Sequence, residues 1–131
     1  KKSQIMKNFI LLLNCLAFTG IINAQTLYVK NTTSVNNLDV TNILKLTSSC
    51  SSTNYCMMTN ITGVPSGGST SQGYPTSCAS SPNIILSITL SGVGTVSNIQ
   101  YCGTNVTGSI GTWTYDLYPT GVGTEMLIYV H

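Results

Sequence analysis

The chain has 131 residues, only 6% of them charged, and its formal net charge is +2. A chain of this length accommodates one domain, since domains commonly have about 100–150 residues. Nucleic-acid binding requires clustered Lys and Arg side chains that displace counterions from phosphates. The chain has no Arg, and only two of its five Lys, Lys30 and Lys45, lie beyond residue 24, so we predict no nucleic-acid partner.

The N-terminus has the layout of a secretory signal peptide. Residues 1–8 are basic and polar, residues 9–22 are mostly apolar, and Ala24 is a small residue at the expected cleavage point. The apolar run is shorter than the roughly 20 residues that a membrane-spanning helix needs. The sequence predicts a cleaved signal helix over residues 1–24. We interpret residues 1–5 as the product of a reading frame extended upstream of the signal. It also predicts a secreted, periplasmic or cell-surface protein with no later membrane span.

Alternating apolar and polar residues predict about seven β-strands and no helix after the signal. The predicted strands cover residues 26–30, 38–46, 56–64, 84–90, 96–102, 112–117 and 126–130. Residues 47–55, 65–83 and 103–111 are rich in Gly, Pro, Ser or Thr and are predicted as loops or turns.

The second predicted strand has one irregular position. Alternation places Leu38, Val40, Leu44 and Leu46 on its inward face, with Ile43 and Lys45 among the residues on the opposite face. Asn42 interrupts the apolar side, so we expect a bend there.

Strands at intervals of about 8–12 residues, separated by Gly and Pro turns, indicate an all-β domain. We predict a single antiparallel β-sandwich, immunoglobulin-like or related, over residues 25–131. After removal of the signal the chain keeps Lys30 and Lys45 against Asp39, Asp116 and Glu125, a net charge of −1.

Four cysteines remain after signal cleavage: Cys50, Cys56, Cys78 and Cys102. An even number in an exported domain of this size indicates two disulfides. Three pairings are open, and we favour Cys50–Cys56 with Cys78–Cys102 because near neighbours meet most easily. A zinc site is disfavoured, since close Cys pairs and internal His ligands are missing.

Few side chains are available for acid–base chemistry, which needs titratable groups placed together. Asp116 and Glu125 flank one predicted turn and would meet in a hairpin, as the paired carboxylates of a glycosidase do. A triad would have to use His131 at the last position. We favour solvent-facing charges and predict no enzyme, no cofactor and no metal site.

Aromatic residues suggest possible ligand contacts, because ring faces stack on the apolar faces of sugars. Trp113 shares a face with Tyr115 and Leu117, which favours a core position for it. Tyr118 falls on the opposite face and is the better candidate for exposure, and Tyr74 lies in the long predicted loop. We name Tyr118, Trp113 and Tyr74 as possible contacts.

Three segments carry a family resemblance: Asn23-Ala24-Gln25 at the cleavage point, residues 27–33, and residues 64–70 between two strands. The chain resembles small exported β-sandwich proteins of unknown function from Bacteroidota. The resemblance implies an exported sandwich and supplies no catalytic residues. Its members usually carry a cysteine just after the opening Asn-Thr-Thr, whereas this chain has Ser34 in that region.

These patterns leave two function hypotheses of different class. The first is a non-enzymatic domain for interaction or assembly at the cell surface, with protein or glycan partners. The alternative is a carbohydrate-binding module that uses exposed aromatic residues. A small hydrolase is a remote third.

Overall fold

A computed structural model describes residues 26–47, 49–74, 83–120 and 126–131. Within these ranges it contains ten β-strands and no helix, so no helix that could cross a membrane is found among the described residues. The predicted signal helix lies outside the described residues. The strands are β1 (Thr26–Asn31), β2 (Leu38–Leu46), β3 (Tyr55–Met57), β4 (Ile61–Val64), β5 (Ser69–Gly73), β6 (Ile84–Leu90), β7 (Gly94–Tyr101), β8 (Val106–Ile110), β9 (Trp113–Pro119) and β10 (Met126–Val130).

The strands form two sheets. Sheet A has the order β5-β1-β10-β9-β8, and sheet B has the order β3-β2-β6-β7, with β4 pairing to β2 beside β3. All pairs are antiparallel except β1 with β10. The all-β prediction is confirmed. The sheets are mainly antiparallel, as predicted; the exception is that β1 and β10 lie side by side in the same direction although they are far apart in the chain.

The inward residues of both sheets form one hydrophobic cluster. Leu27 and Val29 of β1 and the alternate residues of β6 are 0% exposed, as their alternation predicts. Further members include Leu38, Val40, Ile43, Leu117, Met126, Ile128 and Val130. Burial of such side chains stabilises a fold by roughly 1.5–3 kcal/mol each.

The expected irregularity of β2 at Asn42 is confirmed. The prediction that Leu44 faces inward and Ile43 outward is wrong. Asn42 has a positive φ of 51°, and the register with β6 shifts between Thr41 and Leu44. This bulge moves the alternation by one residue. Ile43 is therefore buried in the core, while Leu44 is only half-buried.

The structure has three more strands than the seven that the sequence predicts. The third predicted strand is two, β3 and β4, and the predicted loops contain β5 and β8. β5 has the sequence Ser-Thr-Ser-Gln-Gly and shows no apolar alternation. It is an edge strand held mainly by its backbone pairing to β1, and such a strand leaves little trace in hydrophobic periodicity.

The disulfide pairing that we favoured is wrong. Cys50 bonds to Cys102, with Cα atoms 5.8 Å apart, and Cys56 in β3 is half-buried and bonded to no other described cysteine. β2 and β7 flank β6, so the segments that follow them meet at the same end of sheet B. Cys78 lies outside the described residues, and a second disulfide stays a prediction.

Candidate binding surfaces

Two β-bulges shape the outer face of sheet B. The β2 bulge places Asn42 at a φ of 51°, and the β7 bulge places Asn98 at a φ of 59°. Both lie beside Ser87 of β6, which is only 4% exposed although it points away from the core. Asparagine is among the few residues that adopt this left-handed region at modest cost, and bulges often re-aim side chains.

A cleft of about 480 Å³ opens at this place. We call it the asparagine cleft; it is lined by Asn42, Leu44, Tyr55, Met57, Met58, Thr59, Asn60 and Asn98. Tyr55 is 53% exposed and Met57 is 71% exposed, which is unusual for large apolar side chains. No lining residue is charged.

Two of the three side-chain amides in the asparagine cleft make no hydrogen bond within the described part of the protein. Asn60 Oδ1 accepts a hydrogen bond from the backbone N–H of Asn42 at 3.1 Å. Across the described part of the chain, the side-chain amides of Asn42 and Asn98 make no hydrogen bond. The cleft therefore presents donors and acceptors that a ligand can satisfy.

A larger cleft of about 580 Å³ lies between β4 and β5. Its walls include Thr62, Gly63, Ser69 and Thr70, and it contains no aromatic ring and no charged side chain. It offers strand edges rather than distinctive side-chain chemistry. We therefore place the candidate ligand site in the asparagine cleft.

The outer face of sheet A carries Lys30, Asp116 and His131. Lys30, Tyr129, Asp116 and Thr107 follow one another across four adjacent strands. Asp116 Oδ1 accepts from the Thr107 hydroxyl at 2.6 Å, and Asp116 Oδ2 lies 2.8 Å from His131 Nε2. The Thr107 hydrogen bond, followed by that from His131, lowers the pKa of Asp116 below its ordinary value of 3.8.

His131 is more involved in this face than its terminal position indicates. Its ring stacks on Tyr129, with centroids 4.6 Å apart. The Thr114 hydroxyl lies 3.3 Å from Nδ1 and 3.2 Å from Nε2, and it also donates to the His131 carbonyl at 3.2 Å. The arrangement is a hydrogen-bonded surface cluster.

The three predicted ligand contacts lie in three different settings. Tyr118 is half-buried on the outer face of sheet A, beside Leu127 of β10, as the alternation predicts. Trp113 is half-buried and packs against the core, with Tyr115 and Leu117 buried on the same side. The structure does not bring these residues together, and their role as ligand contacts stays a prediction.

Tyr74, the third predicted contact, packs against the core and meets a buried cation. The Nζ of Lys45 lies 3.9 Å from the centroid of the Tyr74 ring, and Lys45 is only 1% exposed. The prediction that Lys45 faces outward is wrong, because the bulge at Asn42 turns it inward together with Ile43. Tyr74 thus covers a buried ammonium group.

The expected partner of Asp116, Glu125, lies outside the described residues. The ranges that the structure covers hold no group of three or more His, Cys, Asp or Glu side chains that is arranged to bind a metal ion. The sequence indicated neither the asparagine cleft nor the Asp116–His131 contact. The one available signal for the cleft was the presence of Asn42 and Asn98 inside otherwise regular strand patterns.

Comparisons with protein-family models, with curated proteins and with solved structures returned no match. The resemblance to exported Bacteroidota proteins therefore stays a prediction.

Proposed function

We propose that the chain is an exported, non-enzymatic β-sandwich domain, immunoglobulin-like or related, that acts by binding at the cell surface. The observation that carries this proposal is the asparagine cleft with its two exposed apolar side chains, Tyr55 and Met57. Soluble monomeric proteins rarely leave contiguous apolar patches open unless they serve an interaction.

Export is supported by the N-terminal pattern and by the Cys50–Cys102 disulfide. Disulfides persist in oxidising compartments and are rare in the cytosol. The non-enzymatic part of the proposal is supported by the state of Asp116. Its two oxygens are engaged by Thr107 and His131 on an open sheet face, rather than directed at a substrate pocket.

Export is tested by producing the full chain with a C-terminal tag in its source cells, followed by fractionation and intact-mass analysis. We expect the protein outside the cytoplasm, with its N-terminus at Gln25. An untrimmed protein confined to the cytoplasm would contradict the proposal.

Surface binding is tested with the purified protein and intact source cells by flow cytometry. The double variant Tyr55→Ser/Met57→Ser removes the exposed apolar groups of the cleft. Tyr28→Ser is the matched control, since Tyr28 is 37% exposed on the outer face of sheet A. We expect the double variant to bind cells about tenfold more weakly and the control to bind normally. Equal binding by both variants would contradict a role for the cleft.

A further inference from the structure

We infer that the asparagine cleft binds an uncharged carbohydrate; this rests on the proposed binding function and names the ligand class. The first argument is charge. All eight side chains that line the cleft are uncharged, from Asn42 on β2 to Asn98 on β7. Burying an ionic group against such a surface would leave its charge unpaired, which is costly. The cleft therefore favours a neutral polar ligand.

The second argument is hydrogen bonding. A carboxamide both donates and accepts, so one Asn can bond two neighbouring sugar hydroxyls, each of which also donates and accepts. Asn42 and Asn98 stand on either side of β6, on strands separated by about 10 Å. Their bulges hold the two amides over the outer face, where no described protein group engages them.

The third argument is apolar contact. A pyranose ring has C–H faces as well as hydroxyl edges, and it binds where a ring or thioether lies beside hydrogen-bonding groups. Tyr55 and Met57 supply these apolar groups at exposures of 53% and 71%. The volume of about 480 Å³ falls within the range typical of small-ligand sites. It has the scale of a short oligosaccharide.

A peptide that adds a strand to β3 is the competing occupant. Strand addition depends on a row of main-chain hydrogen bonds along an open edge. β3 is the edge strand of sheet B and has only three residues, Tyr55–Met57. This edge is too short for that mode, and the amide chemistry of the cleft would stay unused.

The test uses the purified protein and isothermal titration calorimetry with neutral di- to hexasaccharides of gluco, manno, galacto and xylo configuration. Sialylated and sulfated glycans and an extended peptide serve as comparators. Asn42→Gly and Asn98→Gly remove the amides while keeping a residue that tolerates positive φ. Asn37→Gly is the matched control, because Asn37 has a φ of 64° and lies outside the cleft. Tyr55→Ser is compared with Tyr28→Ser.

We expect at least one neutral glycan to bind with a Kd of about 1 mM or below. Asn42→Gly, Asn98→Gly and Tyr55→Ser should each weaken binding about tenfold, while Asn37→Gly and Tyr28→Ser leave it unchanged. No binding to any neutral glycan, equal affinity in the cleft variants, or binding to charged glycans or peptide alone would overturn the inference.

The outcome also separates this inference from the proposed function. If cleft variants lose cell-surface binding but the protein binds no neutral glycan, the interaction function stands and the ligand class is wrong. If neutral glycans bind in the cleft but the protein does not bind cells, the inference stands and the surface role is wrong.

Discussion

The Nε2 atom of His131 lies 2.8 Å from the Oδ2 atom of Asp116 on the outer face of sheet A. Asp116 is opposite Tyr129 in the register of β9 and β10, and the His131 ring stacks on that same tyrosine. The contact therefore joins two adjacent strands through one ring and one carboxylate. It also gives Asp116 a lowered pKa, together with the stronger effect of Thr107.

We predict an acid-dependent loss of stability that is centred on Asp116. A carboxyl whose pKa is lower in the folded than in the unfolded state stabilises the fold above its unfolded value, and that contribution is lost as pH falls through the folded value. Urea midpoints measured from about pH 6 down to about pH 2 should fall more steeply for the natural protein than for Asp116→Asn.

Thr107→Val provides the control for this prediction. It keeps the carboxylate but removes the hydrogen bond that lowers the pKa of Asp116 most. Its acid dependence should lie between those of the natural protein and Asp116→Asn. Parallel curves for all three proteins would contradict the assignment.

The Cys50–Cys102 disulfide should be the stabilising cross-link. The two cysteines are 52 positions apart, and loop-entropy reasoning assigns such a bridge about 4 kcal/mol. The variant Cys50→Ala/Cys102→Ala should therefore lose much of the free energy of unfolding. Cys56→Ala is the comparison and should lower the free energy of unfolding less, because Cys56 forms no disulfide with a described residue. Non-reducing peptide mapping that found Cys50 linked to Cys56 would refute the pairing.

Asn31 should be essential to the turn that follows β1. The residue is 0% exposed; its Nδ2 donates to the carbonyls of Val35 and Val64, and its Oδ1 accepts from the N–H and hydroxyl of Thr33. Asn31→Ala leaves these buried groups unsatisfied and should cost about 1–3 kcal/mol in urea unfolding.

Asn36→Ala is the comparison for Asn31→Ala. Asn36 is exposed, and its amide accepts one hydrogen bond, from the Ser66 N–H at 3.2 Å. We expect this variant to cost clearly less. If both variants lost a similar free energy of unfolding, the buried hydrogen bonds of Asn31 would not be the stabilising feature of this turn.

Lys45 and Tyr74 provide a fourth prediction. Because the Lys45 ammonium lies 3.9 Å from the ring centroid in a buried setting, the ring contributes cation–π stabilisation of about 1–2 kcal/mol. Tyr74→Phe keeps the ring and should be mild, whereas Tyr74→Leu removes it and should lower the thermal midpoint clearly. Equal midpoints for the two variants would show that the ring is not needed.

Much of the fold can be predicted from local pattern. The strands β1 and β6 combine apolar alternation with clear turn residues at one or both ends, and their inward faces are as predicted. β10 lies where its continuous run of apolar residues predicts a strand. β5 is an edge strand made of small polar residues and gives no signal in hydrophobic periodicity. The edge strand β8 has Val106 and Ile110 as its only apolar side chains, too few for a clear alternation.

Composition and alternation by themselves determined that the described residues form β-strands and carry little charge. They also determined that Tyr118 and Leu117 face opposite sides of their strand. They did not determine which distant residues meet. The pairing of Cys50 with Cys102, the contact of Asp116 with His131 and the inward turn of Lys45 depend on strand order and on one bulge. Strand order and register are long-range properties, so a local pattern cannot specify them; the physical reason is that backbone pairing joins segments irrespective of their separation in sequence.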